Sequence, residues 1–388
     1  MNIASRMSLL GTETAFEVMA KAKSLEASGK DIIYLQIGEP DFQTPKHIVD
    51  GAIDALRDGQ THYSSPTGIL PLKEAIAEEV LFRRGVRPNT NQIVVTPGAK
   101  PIIFLLMLAC IESGDEVIYP NPGFPIYQSM IKFAGGKAIP LPLREEKEFS
   151  FDKDEFISLL SERTKMIIIN SPQNPTGGIL SADDVALIAK IANERDITVL
   201  ADEVYKNIIY DNEHHSIYSI KGMKDRCVLL DGFSKTYAMT GWRLGFGVMP
   251  VELARKVERL IINSNSCTST FSQFAAIEAL KGPTKDSDWM VETFKDRRNF
   301  IVDGLNSLPG VSCVKPKGAF YVFPNVSGIN MNSDELENYL LNDAGVAVLS
   351  GSAFGKHGND YLRLSYANSI ENIEKALDRI RVSLEKIK

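Results

Sequence analysis

Between Gln92 and Asn263, short β-branched runs alternate with longer amphipathic ones, and this alternation narrows the possible folds more than any other feature of the chain. Parallel strands need a crossover connection, so such a pattern predicts a mostly parallel sheet covered by helices on both faces. Strands are expected at 93–95, 116–119, 166–169, 198–200, 228–230 and 244–248. Several are unbroken apolar runs, as strands buried on both faces should be. Ser181 with Asp184 three residues later predicts a helix start, and Val185, Ile188, Ala189 and Ala192 then form its buried side.

Beyond about Pro283 the pattern changes to a helix over 291–308, a strand pair around 311–323, a helix over 334–341 and a helical tail. The segment before Pro45 carries the turn Gly38-Glu39-Pro40-Asp41 and is expected to join this second part or lie across the cleft between the two. A chain of 388 residues exceeds what one growing core supports. The expected architecture is therefore α/β, with a large domain over 46–284 and a smaller α+β domain built from 1–45 and 285–388.

Net charge of -6 gives no basic surplus to neutralise phosphates along a nucleic acid, so no such partner is expected. The N-terminus meets Glu13 and Glu17 without the apolar run of a signal peptide, so a cytoplasmic location is expected. The longest apolar stretch, 102–110, is about half of what a bilayer helix needs, and no membrane span is predicted. Cys110, Cys227, Cys267 and Cys313 are far apart, with no C-x-x-C, and read as reduced and mostly buried. His214-His215 reads as a solvated turn, and no metal site is predicted.

In open α/β sheets ligands sit outside the carboxyl ends of the strands. Three polar segments fall there: Asn170-Ser171-Pro172-Gln173-Asn174-Pro175-Thr176-Gly177, Asp202-Glu203-Val204-Tyr205 and Asp231-Gly232-Phe233-Ser234-Lys235. A lysine placed after a buried strand, with Arg243 close in sequence, can lose its proton readily and suits a Schiff base with an aldehyde. Arg243, the Ser234 hydroxyl and the helix start at Pro97-Gly98-Ala99-Lys100 suit a phosphate.

Those segments, together with Ser234-Lys235-Thr236-Tyr237-Ala238-Met239-Thr240-Gly241-Trp242-Arg243 and Leu362-Arg363-Leu364-Ser365-Tyr366, stand in a familiar order and spacing. The chain resembles, over essentially its whole length, the fold type I, class I/II aminotransferases, which use pyridoxal 5'-phosphate (PLP). The resemblance implies that Lys235 bonds the cofactor and moves the substrate α-proton, and that Asp202 pairs with the pyridine nitrogen. It also implies that Asn174 and Tyr205 bond the ring's phenolic oxygen, and that Phe124 stacks on the ring, with Tyr127 a rival for that place. Phosphate ligands would be Gly98, Ala99, Lys100, Ser234, Arg243 and Tyr63 of a second subunit, which makes the expected assembly a homodimer with shared sites. Arg363 would clamp the substrate carboxylate, with Asn174 and a backbone contact from Gly38 nearby. The implied reaction moves an α-amino group from an amino acid to a 2-oxo acid by a ping-pong mechanism. Alternatives are another PLP reaction, such as a β-lyase, and a non-catalytic ligand sensor. Position 232 is Gly where many members carry a phosphate-binding serine. No arginine stands out to read a distal carboxylate; Lys100 hints at acidic substrates, and Glu17 argues the opposite way.

Overall fold

The computed structural model describes residues 2–387. Its centre is an eight-stranded sheet in the order Ile93–Thr96, Gly245–Val248, Cys227–Gly232, Thr198–Asp202, Thr164–Asn170, Glu116–Asn121, Lys137–Arg144, Ser150–Phe151. The five strands from Cys227–Gly232 to Lys137–Arg144 run parallel. Gly245–Val248 is antiparallel to both of its neighbours, and Ser150–Phe151 is antiparallel at the far edge. All six expected strands are present, within two residues at each end; those expected at 116–119 and 198–200 run on to Asn121 and Asp202.

Lys137–Arg144 was not expected, and its sequence explains why. Pro140 and Pro142 disguise it as a loop, yet residues two apart donate toward the same edge, so only one side of the strand loses donors. The side with full pairing faces Glu116–Asn121, while the other meets only two residues of Ser150–Phe151.

Apolar side chains fill both faces of the sheet. Leu72, Ile76, Ile188 and Ala192 pack on one face, and Ile102, Leu106, Tyr127 and Val257 on the other. Helix Ala182–Arg195 starts at the expected capping box, with Ser181 Oγ accepting from Asp184 N at 3.1 Å. A separate core gathers Ile33 and Leu35 with Phe294, Ile301, Tyr321, Leu364 and Ile380. Strand Ile33–Tyr34 pairs in parallel with Val346–Ala347, which ties the early segment to the later one. Among the described residues no helix is long and apolar enough to cross a membrane.

Two expectations in the second part need correction. The helix expected over 291–308 begins earlier, as Lys285–Asn306, with Asp286 and Asp288 favouring its positive N-terminal end. The expected strand pair at 311–323 is not a hairpin. Tyr321–Val322 pairs instead with Leu362–Ser365, which in turn pairs with Leu349–Ser350, while Ser312 reaches only an isolated bridge with Asn325. Pro316 and Gly318 interrupt the stretch that a hairpin would have required.

Candidate active site

Strands Thr164–Asn170, Thr198–Asp202 and Cys227–Gly232 end together, and a cavity of about 570 Å³ opens beyond their carboxyl ends. Asn170 ties two of these ends to the loop that follows. Its Nδ2 donates to Asp202 O at 3.0 Å, and its Oδ1 accepts from Asn174 N at 3.0 Å. Gln173 Nε2 donates to Pro122 O at 2.6 Å, which fastens the segment carrying Phe124 to the same loop. The cavity wall is thus held by side-chain bonds to backbone, the kind that fix a loop against a rigid sheet.

Asp202 lies at the cavity with its carboxylate buried. Oδ2 accepts from Tyr127 Oη at 2.6 Å and Oδ1 from Val204 N at 3.4 Å. Burial raises its carboxyl to about 6, against these hydrogen bonds, with Asp231 and Glu203 adding to the rise. Tyr127 is fully buried and its hydroxyl is committed to Asp202; both Tyr127 and Phe124 line the cavity, their rings edge-on at 5.7 Å.

Lys235 follows strand Cys227–Gly232 and lines the same cavity, where its Nζ donates to Gly38 O at 2.6 Å. Burial pulls its ammonium down to about 8; Glu39 opposes the fall, and the Arg363 and Arg243 cations add to it. Nζ sits 6.0 Å from the Tyr205 ring and 5.7 Å from the Phe320 ring, so apolar walls explain much of the desolvation. Tyr321 Oη lies 2.8 Å from Tyr205 Oη, and a Cβ at position 38 would fall 2.0 Å from that Tyr321 oxygen. Gly38 is therefore required by close approach.

Arg363 stands in strand Leu362–Ser365, buried, with its guanidinium 4.5 Å from the Tyr321 ring. Nη1 donates to Asn174 Oδ1 at 3.2 Å and Nη2 to Gln36 O, while Nε is buried without a partner. A buried charged donor left unpaired beside a cavity is set for an anion.

At the other end, helix Lys100–Cys110 begins on Ala99, with no side chain capping its first turn. Its free N–H groups and positive end make an anion site. Gly98 has φ +91°, and a Cβ there would meet Arg243 Nη2 at 2.2 Å, so the guanidinium lies against the turn. Ala99, Gly232 and Ser234 line the cavity beside it.

A family profile described as aminotransferase class I and II matches residues 30–380. The chain belongs to the class I and II aminotransferases. It is 42% identical to an aspartate aminotransferase of Pyrococcus abyssi over 95% of each chain. It is 39% identical to an aromatic-amino-acid aminotransferase of Thermococcus litoralis over 100% of each. The solved structure of an aspartate aminotransferase from Rhizobium meliloti superposes with a TM-score of 0.95 at 34% identity, covering 100% of both chains.

As an aminotransferase the protein depends on PLP, and its residues fit that group. The unpaired helix start with Gly98, Ser234 and Arg243 suits a phosphate, the depressed Lys235 amine suits an aldehyde, and the buried Asp202 carboxyl suits a ring cation. The structure brings Gly38, Ala99, Lys100, Phe124, Asn174, Asp202, Tyr205, Ser234, Lys235, Arg243 and Arg363 around one cavity, with Gly98 in contact with Arg243.

Tyr63 stands apart from that cavity and is 89% exposed. Glu17 is exposed on helix Thr14–Ala27 and does not line the cavity; Glu13 and Phe16 do, and Glu13 pairs with Lys100 Nζ. Tyr321 was not singled out from the sequence, because its hydroxyl partner Tyr205 lies 116 residues away and no local motif links them. His214 is not a freely solvated turn residue. It is largely covered, with Nε2 3.1 Å from Ser171 O and 3.9 Å from Glu203 Oε2.

Proposed function

We propose that this aminotransferase works as a homodimer of two-part subunits, residues 46–284 forming the large part and 1–45 with 285–388 the small one, and that it takes acidic amino donors of the aspartate or glutamate type. The observation that carries the reading is Lys235 Nζ in one cavity with buried Asp202 and with Arg363, whose Nε has no partner. When bound, PLP supplies an electron sink for the pair of electrons left when the substrate Cα loses its proton.

Arg363 binds the substrate α-carboxylate by a fork of N–H donors, which sets the Cα–H bond toward Lys235. The Lys235 amine, neutral in much of the protein near its depressed pKa, would then take that proton from Cα and return it to the carbon on the far side of the amino nitrogen. Asp202 stays negative beside a ring cation, which reverses the effect that burial alone has on it. Asn174 and Tyr205 hold the ring oxygen, and Tyr321 holds Tyr205. Phe124 keeps the ring face apolar. Gly98, Ala99, Lys100, Ser234 and Arg243 take the phosphate through backbone N–H groups, a hydroxyl and a guanidinium, and Tyr63 of the partner subunit adds a hydroxyl. The Lys100 side chain, free of the phosphate cup and facing the cavity, reads a second carboxylate.

The relatives named for aspartate support the acidic donor, while the relative named for aromatic amino acids supplies the competing substrate for a test. With 2-oxoglutarate as acceptor, aspartate should be used with a kcat/KM at least about tenfold above phenylalanine, about the discrimination one charge contact provides. An equal or inverted preference would remove the acidic-donor reading.

A further inference from the structure

Glu13 immediately precedes helix Thr14–Ala27 in the capping position, yet its side chain makes no bond to that helix. It turns to Lys100 Nζ instead and forms an ion pair at the cavity rim. The segment ahead of it is tied down by Gly11 N, which donates to Ser129 Oγ at 2.8 Å, so the carboxylate is presented from an anchored position. Lys100 Nζ lies 5.5 Å from the Phe124 ring, and both residues line the cavity. The Glu13 charge is felt within the cavity, where it favours the protonated forms of Lys235 and Arg363.

Resting on the reading of Lys100 as the contact for an acidic substrate, we propose that Glu13 is a built-in competitor for the substrate's second carboxylate: it occupies Lys100 until an acidic side chain displaces it. One ammonium cannot serve two carboxylates at full strength, and the second anion also meets the first one's repulsion. Binding of a dicarboxylate therefore has to break the Glu13 contact, whereas an uncharged side chain leaves the pair intact. Glu13 in this way narrows the gap between acidic and neutral substrates, and it is a specificity-determining residue outside the reacting centre.

Calorimetric binding of two non-reacting probes to the PLP-loaded enzyme, succinate and butyrate, isolates the effect from turnover. Glu13→Gln should tighten succinate relative to butyrate by about fivefold, the upper end of the worth of a partly exposed ion pair. Lys100→Gln should abolish most of the preference for succinate, in both the parent and the Glu13→Gln background. A succinate-to-butyrate ratio that is unchanged or lower in Glu13→Gln, with Lys100→Gln still harmful to succinate, overturns the competitor and spares the acidic-donor reading. Lys100→Gln without effect on succinate overturns both.

Discussion

Asp202 is a carboxylate whose burial works against its own charge. Its folded pKa of about 6 lies above the ordinary 3.8, so the folded protein holds more protons than the unfolded chain between those values. The sign follows: without cofactor, stability is lost as pH rises through that window, by on the order of 3 kcal/mol at pH 7. Asp202→Asn keeps an oxygen for Tyr127 and removes the charge. Thermal unfolding of the cofactor-free variant at pH 7 should show higher stability than the parent and a flatter pH dependence from 4 to 6, while kcat falls about 10²- to 10³-fold. A variant that loses stability, or keeps its kcat, would contradict the assigned role. Lys235, Asp202 and Asn174 were legible in the sequence because each sits in a polar cluster at or just past a strand, whereas Arg363 lies inside the buried strand Leu362–Ser365 and was marked only by the family resemblance. Tyr127 entered only as a rival stacking ring and Glu13 only as an acidic residue of the N-terminus, because their partners Asp202 and Lys100 lie 75 and 87 residues away. Contacts of that range leave no local signal.

At the level of elements, the cofactor end of the cavity depends on how closely strand Gly245–Val248 passes the start of helix Lys100–Cys110. A Cβ at position 245 would lie 2.3 Å from Ala99 N and 2.5 Å from Gly98 C, both backbone atoms that cannot swing aside. Gly245→Ala must push the helix start outward. We expect a loss of about 1–3 kcal/mol in stability and a larger relative loss in PLP affinity, measured by dialysis against the free cofactor. Unchanged affinity with reduced stability would show that the helix start does not hold the phosphate. Elements with β-branched runs or capping signals, such as Thr164–Asn170 and Ala182–Arg195, could be read from sequence. Lys137–Arg144 could not, since its prolines are tolerated only because of its place near the sheet edge, which is a tertiary fact.

For the whole molecule, the question is where Tyr63 acts. Within one chain it is exposed and away from the cavity, and the homodimer reading sends it into the neighbouring site. Subunits carrying Tyr63→Ala and subunits carrying Lys235→Ala should then complement each other. In a mixed dimer, the subunit with intact Lys235 receives Tyr63 from its partner, so mixing and refolding the two variants should yield more activity than the sum of the separate preparations. No gain on mixing, with mixed dimers demonstrated by mass, would place Tyr63 outside the site. Distant stretches of the chain meet at the cavity, since Gly38 and Arg363 line it together with Asp202 and Lys235. The central claim is that the amine at position 235 carries the cofactor. Borohydride reduction of the PLP-loaded enzyme followed by peptide mass mapping tests it most directly: one stable pyridoxyl addition on Lys235 is the predicted result, and an addition on Lys100 or Lys206 with Lys235 unmodified would contradict it.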